Sequence, residues 1–378
     1  MSSLMDDQAV AQRILDHIDR GTTDVAESSW REPVGNYRSA KRYAAELSLV
    51  LRRTPTPFCP SAALAESGSF VAREAAGTPI LAVRGDDGRV RAFRNACRHR
   101  GMQLACGTGC GKAFVCRYHG WTYDLHGSLR HVPDDYGFPT LDKNSRGLVP
   151  VVTQERQGIV FIAQDEPQIA TDLARLPELI PPDHRLVETT EVEVSANWKI
   201  LTEGFLEGYH IRSTHRETFY PVQFDNLSVV ETFGRNGRIA FPYRRVNKLR
   251  AVTPADRAIG GMLTYLYHFF PNAMVATFPT NRVLVVAEPL SVEKTRLITY
   301  TLAPAQEGDQ DAATLETALG FVQAGATEDR EVACAIQRGL GSGANEYFEF
   351  GLFEGLIGHF HRNLHELMDA ELAADKTQ

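Results

Sequence analysis

The chain has 378 residues, 43% hydrophobic and 23% charged, which suits two packed domains and excludes general disorder. Forty basic against 47 acidic residues give a net charge of -7, and without a Lys/Arg-rich block to neutralise phosphates a nucleic-acid footprint is excluded. No apolar run reaches the ~18 residues of a membrane span, and the acidic, helically patterned start lacks the basic region and apolar core of a signal peptide.

The expectation is a soluble, cytoplasmic protein, with six cysteines too few for a disulfide scaffold. Val10, Ile14, Leu15 and Ile18 recur at helical spacing and stop at Gly21, which predicts an N-terminal helix. A second helical stretch runs from 41 to 52 and ends against Pro55 and Pro57. From Ser69 the texture turns to short alternating runs. Residues 79–93 read as a hairpin turning at Asp86-Asp87-Gly88, and 121–130 as another turning near His126-Gly127. Two more strands, 148–152 and 158–163, complete a predicted all-β domain over 60–165. The stretch 164–184 carries four prolines and no strand pattern, and marks a domain boundary. Beyond it come a strand, a helix over 198–209, several strands between 228 and 302, and helical stretches over 312–340 and 347–372. That order predicts an α+β domain with helices on one side of an antiparallel sheet.

Four cysteines crowd into positions 97 to 116. Cys97-Arg98-His99 is followed, after sixteen intervening residues, by Cys116-Arg117-Tyr118-His119. Two such pairs can converge on one inorganic centre, and two chemistries fit. Zinc accepts two thiolates and two imidazoles in a tetrahedral site; a Rieske [2Fe-2S] cluster takes two Cys on one iron and two His on the other. The order points to the cluster, because each loop brings one thiolate and one imidazole, whereas a zinc finger gives both thiolates first. Gly101 and Gly120 permit tight loop turns. Cys59 and Cys334 read as small buried hydrophobes.

In residues 197–215 Glu203, Glu207 and His210 fall on one stripe of the predicted helix. Two carboxylates beside an imidazole are costly there unless a cation or donor faces them. His215 lies about 140° further round an ideal helix. Both imidazoles can meet one metal only if the helix ends between them, with Ser213-Thr214 the candidate break. A 2-His-1-carboxylate triad needs one more acid. On a helical wheel Val332, Ala333, Ile336 and Leu340 cluster with Asp329, while Glu328, Arg330 and Glu331 project away. Asp329 therefore heads an inward stripe, where an unpaired charge is expensive. Taken alone it could equally be an N-terminal helix charge favoured by the macrodipole.

The loops CRHRG and CRYHGW resemble the cluster-binding loops of Rieske non-haem iron oxygenases, with Arg117 where that family usually has Pro. Residues 197–215 resemble the mononuclear-iron motif of their α (terminal oxygenase) subunits, and the segment from Glu328-Asp329 to Gln337-Arg338-Gly339-Leu340 resembles the site of the third ligand. Glu207 stands where the family usually has Asp, a likeness to the carnitine and glycine betaine monooxygenase subgroup. The resemblance implies an α+β chain: an N-terminal helical segment (1–50) packing on the catalytic domain, an all-β Rieske domain (51–167), and a helix-grip (START-like) catalytic domain with an antiparallel sheet (168–378). It implies Cys97, His99, Cys116 and His119 as ligands of a [2Fe-2S] cluster, and His210, His215 and Asp329 as ligands of mononuclear Fe(II). Glu207 would bridge a cluster histidine, here His119, to His210 between neighbouring subunits of a homotrimer.

The implied activity is that of a terminal oxygenase using O2 and two electrons from a separate reductase or ferredoxin. It would hydroxylate or oxidatively demethylate a small organic substrate, with monooxygenation favoured and a quaternary amine among the candidates. The alternatives are a cis-dihydroxylating dioxygenase of an aromatic compound and a non-catalytic Rieske electron-transfer or ligand-binding protein. No nicotinamide or flavin fingerprint points to an internal reductase. Cys106 and Cys110 are expected as free thiols. Tyr265, Tyr267 and Phe269 alternate with Leu266, His268 and Phe270, and either set could line a cavity; His268 reads as a satisfied core histidine. His126, His131, His359, His361 and His365 read as surface or hinge residues, and Arg98 and Arg100 as donor contacts or solvated side chains.

Overall fold

The computed structural model describes residues 4–165, 173, 176–305 and 309–374. The boundary expected between 167 and 168 lies outside them. The chain divides into two compact units, Arg52–Pro182 and Met1–Leu51 with Asp183–Gln378. Among the described residues no helix is long and apolar enough to cross a membrane.

In the unit Arg52–Pro182 a seven-stranded antiparallel sheet runs in the order Thr56–Pro60, Ile159–Ala163, Pro150–Arg156, Val90–Arg94, Thr78–Arg84, Ser69–Ala75 and Gly107–Cys110. A smaller sheet pairs Phe114–Val115, Thr122–Tyr123 and Leu129–His131. Residues 153–156, which read as a linker, instead extend their strand and pair with 159–162, leaving only Gln157-Gly158 for the turn. Phe93, Phe114, Trp121, Tyr123 and Leu125 form the core, and the thiol-bearing Cys97 and Cys116 are buried in it.

In the other unit a second seven-stranded antiparallel sheet runs His184–Val194, Lys294–Pro304, Arg282–Ser291, Ala273–Thr277, Leu263–Phe269, Asn236–Pro242 and Val229–Phe233. Helix Asp7–Arg20 buries Val10, Ala11, Ile14 and Leu15 and ends at left-handed Gly21. The helix expected over 198–209 stops at Gly204, and a separate short helix covers Ile211–Thr214. Glu203, Glu207 and His210 therefore do not share one helical stripe. Gly204 ends the first helix and Gly208 falls in the gap, and glycine weakens a helix against the coil. The long helix Asp309–Leu340 agrees with the periodicity, but 347–350 do not begin a helix. Tyr347–Phe350 is a strand pairing with Trp30–Pro33, and the last helix starts only at Gly355. Alternating aromatics favour a strand, while the partner three hundred residues earlier leaves no local trace.

Three of the expected surface histidines are wholly or partly inside, His359 among them with its Nε2 buried. His361 is fully buried and His365 partly so, on one face of helix Gly355–Ala374 towards Glu32. His126 does sit at the surface, against Asp86 at 2.6 Å. Tyr265 and Tyr267 flank the Arg238 guanidinium, while Thr264 and Leu266 face the opposite side of the sheet, where the cavity lies.

Candidate metal centres

Asn197 starts the helix Trp198–Gly204 by accepting from the Lys199 backbone N–H at 3.0 Å, and its amide donates to the Tyr37 and Val292 carbonyls. The next turn is anchored by the buried Lys199 ammonium, 2.8 Å from both oxygens of buried Glu46, which also accepts from Trp198 Nε1. Burial lowers the Lys199 pKa. This anchored turn leads into the segment that bears the histidines.

His210 precedes the short helix Ile211–Thr214 and His215 follows it, so that the chain turns between them. Asp329, on the long helix, reaches both: its Oδ1 is 3.0 Å from His215 Nε2 and 3.6 Å from His210 Nε2. One ligand atom from each of the three lies within 4.8 Å of the others. The outward nitrogens are also held. His210 Nδ1 donates to Glu207 Oε1, and Glu207 Oε2 accepts from the backbone N–H groups of Tyr209 and His210. His215 Nδ1 donates to Glu328 Oε2 at 2.7 Å, and the Thr218 hydroxyl donates to the same oxygen. Burial works to raise the Glu328 pKa, but the hydrogen bonds from Thr218 and His215 outweigh it and hold the carboxyl below its ordinary value. Protons fixed on both Nδ1 atoms leave both Nε2 lone pairs aimed at the Asp329 carboxylate, the arrangement a divalent iron requires.

Glu328 thus corrects the helical-wheel reading. It does not project away; with Asp329 it straddles the His215 ring. Val332 and Ile336 are partly exposed, yet both line the cavity with Asp329.

The cavity, about 500 Å³, lies between the sheet and the long helix. Alternate residues Leu297, Thr299 and Thr301 of one strand, and Val283 and Val285 of the next, form its floor, as the two-residue period of a strand dictates. Phe205, Phe219, Phe241, Phe278, Phe348 and Phe350 contribute rings to it. Six carboxylates line it (Glu188, Glu203, Glu207, Asp329, Glu349 and Glu354) against the single guanidinium of Arg330 among the described residues. Burial, with Glu207 and Glu203 adding to it, raises the Glu354 pKa despite the Gly351 N–H it accepts.

The two Cys/His loops of the other unit share one hydrogen-bond pattern. The Cys97 N–H donates to the Met102 carbonyl and Gly101 N–H to the Cys97 carbonyl; Cys116 N–H donates to the Trp121 carbonyl and Gly120 N–H to the Cys116 carbonyl. Gly101 and Gly120 have φ of +78° and +72°, a conformation glycine adopts at no steric cost. Cys97 Sγ is 3.4 Å from the Tyr123 hydroxyl, which accepts from the Arg98 backbone N–H. The His99 and His119 rings are 4.6 Å apart, and His99 stacks on Trp121. Buried sulfurs and imidazoles towards the surface suit a two-iron cluster with one iron of each ligand type. Cys106 and Cys110 are exposed free thiols. Arg98 donates to the Gly147 carbonyl and Arg100 lies over Tyr118, so each has a partner within the unit.

Residues 183–370 match the ring hydroxylating alpha subunit (catalytic domain) family, and residues 54–142 the Rieske [2Fe-2S] domain family. The chain belongs to the Rieske oxygenase α subunits. Such a subunit is an oxidoreductase that uses a Rieske [2Fe-2S] cluster and a mononuclear iron.

Relatives of this Rieske oxygenase α subunit include carnitine monooxygenase oxygenase subunits. That of Acinetobacter pittii is 31% identical over 207 residues, covering 52% of this chain and 56% of the relative; that of Escherichia coli K12 is 29% identical over 303 residues, covering 72% and 80%. The chain thus spans little more than half the length of the first of them. A glycine betaine monooxygenase oxygenase subunit of Chromohalobacter salexigens is 26% identical over 358 residues, covering 80% of this chain and 79% of the relative. The fold is shared with a crystal structure of the quaternary ammonium Rieske monooxygenase CntA, at a TM-score of 0.79, 22% identity, and coverage of 97% of this chain and 100% of that one.

Proposed function

We propose that this α subunit is the terminal oxygenase of a system that monooxygenates a small quaternary amine. The observation that carries the reading is the cavity lining: six carboxylates against one guanidinium, set among six phenylalanine rings. A quaternary ammonium has a full charge and no N–H to donate, so it gains from a diffuse negative field and aromatic faces and forfeits no hydrogen bond. Glu203, Glu207 and Glu349 already have partners in His361, His210 and Arg31, so an uncharged aromatic substrate would fill the apolar part without stranding them but would gain nothing from the negative field, which makes cis-dihydroxylation the weaker reading. Arg330 suits a carboxylate at the far end of a betaine or carnitine-like molecule. The relatives named for carnitine and glycine betaine agree with this choice.

In this reading the unit Arg52–Pro182 receives electrons and the remaining unit is catalytic. Cys97, His99, Cys116 and His119 would hold the cluster, and His210, His215 and Asp329 the iron, with Glu207 joining His210 to His119 of a neighbouring copy in a cytoplasmic homotrimer. A separate reductase or ferredoxin supplies the electrons. When bound, the iron supplies the activation of dioxygen. The chain's own part is to orient the two imidazoles through Glu207 and Glu328, to hold the cation by charge and rings, and to exclude bulk water with Leu297, Val283 and their neighbours.

The test is turnover by the holoenzyme with a surrogate reductase, offering carnitine, glycine betaine and the neutral tert-butyl isostere of each. Consumption of one O2 per oxidised quaternary amine, with the isosteres inert, is expected; a cis-diol from an aromatic substrate and no reaction with the amines would overturn the reading. Asp329→Ala should lose the mononuclear iron and all turnover while the cluster's visible spectrum stays unchanged.

A further inference from the structure

Hydroxylation with two electrons also consumes two protons: R–H + O2 + 2 e⁻ + 2 H⁺ gives R–OH + H2O. Those protons must enter a cavity whose walls are mainly apolar. One line of side chains leads out of it. Glu203 lines the cavity, and its Oε1 accepts from the Tyr37 hydroxyl at 2.7 Å and from His361 Nε2 at 2.9 Å. The opposite nitrogen of the fully buried His361, Nδ1, stands 3.5 Å from Glu32 Oε2, with no hydrogen bond formed. The same Glu32 oxygen is 3.1 Å from Nε2 of His365, whose side chain is 30% exposed.

Carboxylate, imidazole, carboxylate and imidazole thus alternate from cavity to surface. The residues come from three regions far apart in the sequence: the helix before the iron site, the strand Trp30–Pro33 with the adjoining helix Gly35–Arg38 that carries Tyr37, and positions four apart on the last helix. Trp30 Nε1 and Asn36 Nδ2 donate to Glu32, and the Trp30 ring stacks on His361. Other charged groups near the line are Lys199, committed to Glu46, Glu354, and Arg362 over the Trp30 ring. Burying ionisable groups in this number costs more than packing the same volume with hydrocarbon, so the arrangement calls for a purpose beyond stability.

We propose that His365, Glu32, His361 and Glu203 form a proton relay from solvent to the cavity. The inference rests on the oxygenase reading, since only that reaction consumes the protons. An imidazole accepts a proton on one nitrogen and releases another from the opposite one, so a proton from His365, carried only in passing by the Glu32 carboxylate, reaches His361 Nδ1 while Nε2 gives one to Glu203. No electrons move along the line. Each passage delivers one proton and leaves the remaining His361 proton on Nδ1, so the ring must reorient to restore the starting tautomer before the second of the two passages that serve one turnover, and the 3.5 Å step is the link that movement must close.

The experiment uses the holoenzyme and His365→Ala, a change at a partly exposed position. In the variant kcat should fall at least fivefold with KM unchanged, the solvent deuterium isotope effect should rise, and 4-methylimidazole in the buffer should restore most of the rate. Unchanged kcat, or a loss that the added imidazole does not repair, overturns the relay. A second readout needs no turnover. In histidine-labelled protein the ring protons of buried His361 should exchange with water within milliseconds, and at least tenfold more slowly in the variant; slow exchange in the wild type overturns the relay. Fast exchange that His365→Ala slows, in a protein that oxidises no quaternary amine, would leave the path standing and remove the substrate reading instead.

Discussion

His215 sits between two adjacent acids of one helix, and they do different work. Asp329 faces Nε2, the nitrogen offered to a metal, while Glu328 holds Nδ1 at 2.7 Å and fixes the tautomer. Glu328→Gln keeps the size but replaces the anion by a weaker, neutral acceptor. Carboxylates in this position are worth roughly 10–100-fold in metal affinity, so iron should be lost to a chelator at correspondingly lower concentration while the cluster spectrum does not change. Equal iron retention by variant and wild type would show that a neutral acceptor and packing suffice to hold the ring. The role of Glu328 was not legible in the sequence. Neighbouring helical positions diverge by about 100°, so a wheel that turns Asp329 inward turns Glu328 away, unless a third element fills the groove between them. The short helix Ile211–Thr214 does that, and no pattern local to residue 328 records it.

Among the elements, those whose signals were local were legible: the N-terminal helix with its Gly21 stop, the hairpin turns at Gly88 and Gly127, and the paired loops at Gly101 and Gly120. What failed was decided by distant partners. Tyr347–Phe350 is a strand only because Trp30–Pro33 lies beside it, and His361 is buried only because Glu32 and Glu203 meet it there. The helix Trp198–Gly204 depends likewise on Glu46, which pairs with the buried Lys199 ammonium. Lys199→Met removes that cation and leaves a buried carboxylate with only Trp198 and Arg42. Breaking one side of a buried pair costs roughly 3–5 kcal/mol where nothing else compensates the remaining charge, and the Arg42 guanidinium, 3.1 Å from Glu46, keeps the loss below that range. The single variant should therefore melt well below the wild type, and adding Glu46→Gln should recover part of the loss. A double variant no more stable than Lys199→Met would mean that the methionine's packing, and not the stranded charge, sets the cost.

Across the unit formed by the two ends of the chain, Glu32 ties the early strand to the last helix. It is fully buried, and burial alone would raise its pKa. The hydrogen bond from His365, the His361 charge and the Asn36 amide reverse that and hold its carboxyl at about 2, against an ordinary value of 4.5. The unfolded chain therefore binds the proton more readily than the folded one. The stability Glu32 contributes is present in full above pH 4.5 and is lost as pH falls from there to about 2. By the usual conversion the contribution is roughly 3 kcal/mol. Glu32→Gln has no such proton to bind, so its urea midpoint should fall less steeply than the wild type's between pH 5 and pH 3. The wild type should also hold a larger advantage over the variant at pH 5 than at pH 3. Parallel curves for the two proteins would mean that the histidines do not charge against Glu32 in the folded state, and that the strand and the last helix are joined by packing alone.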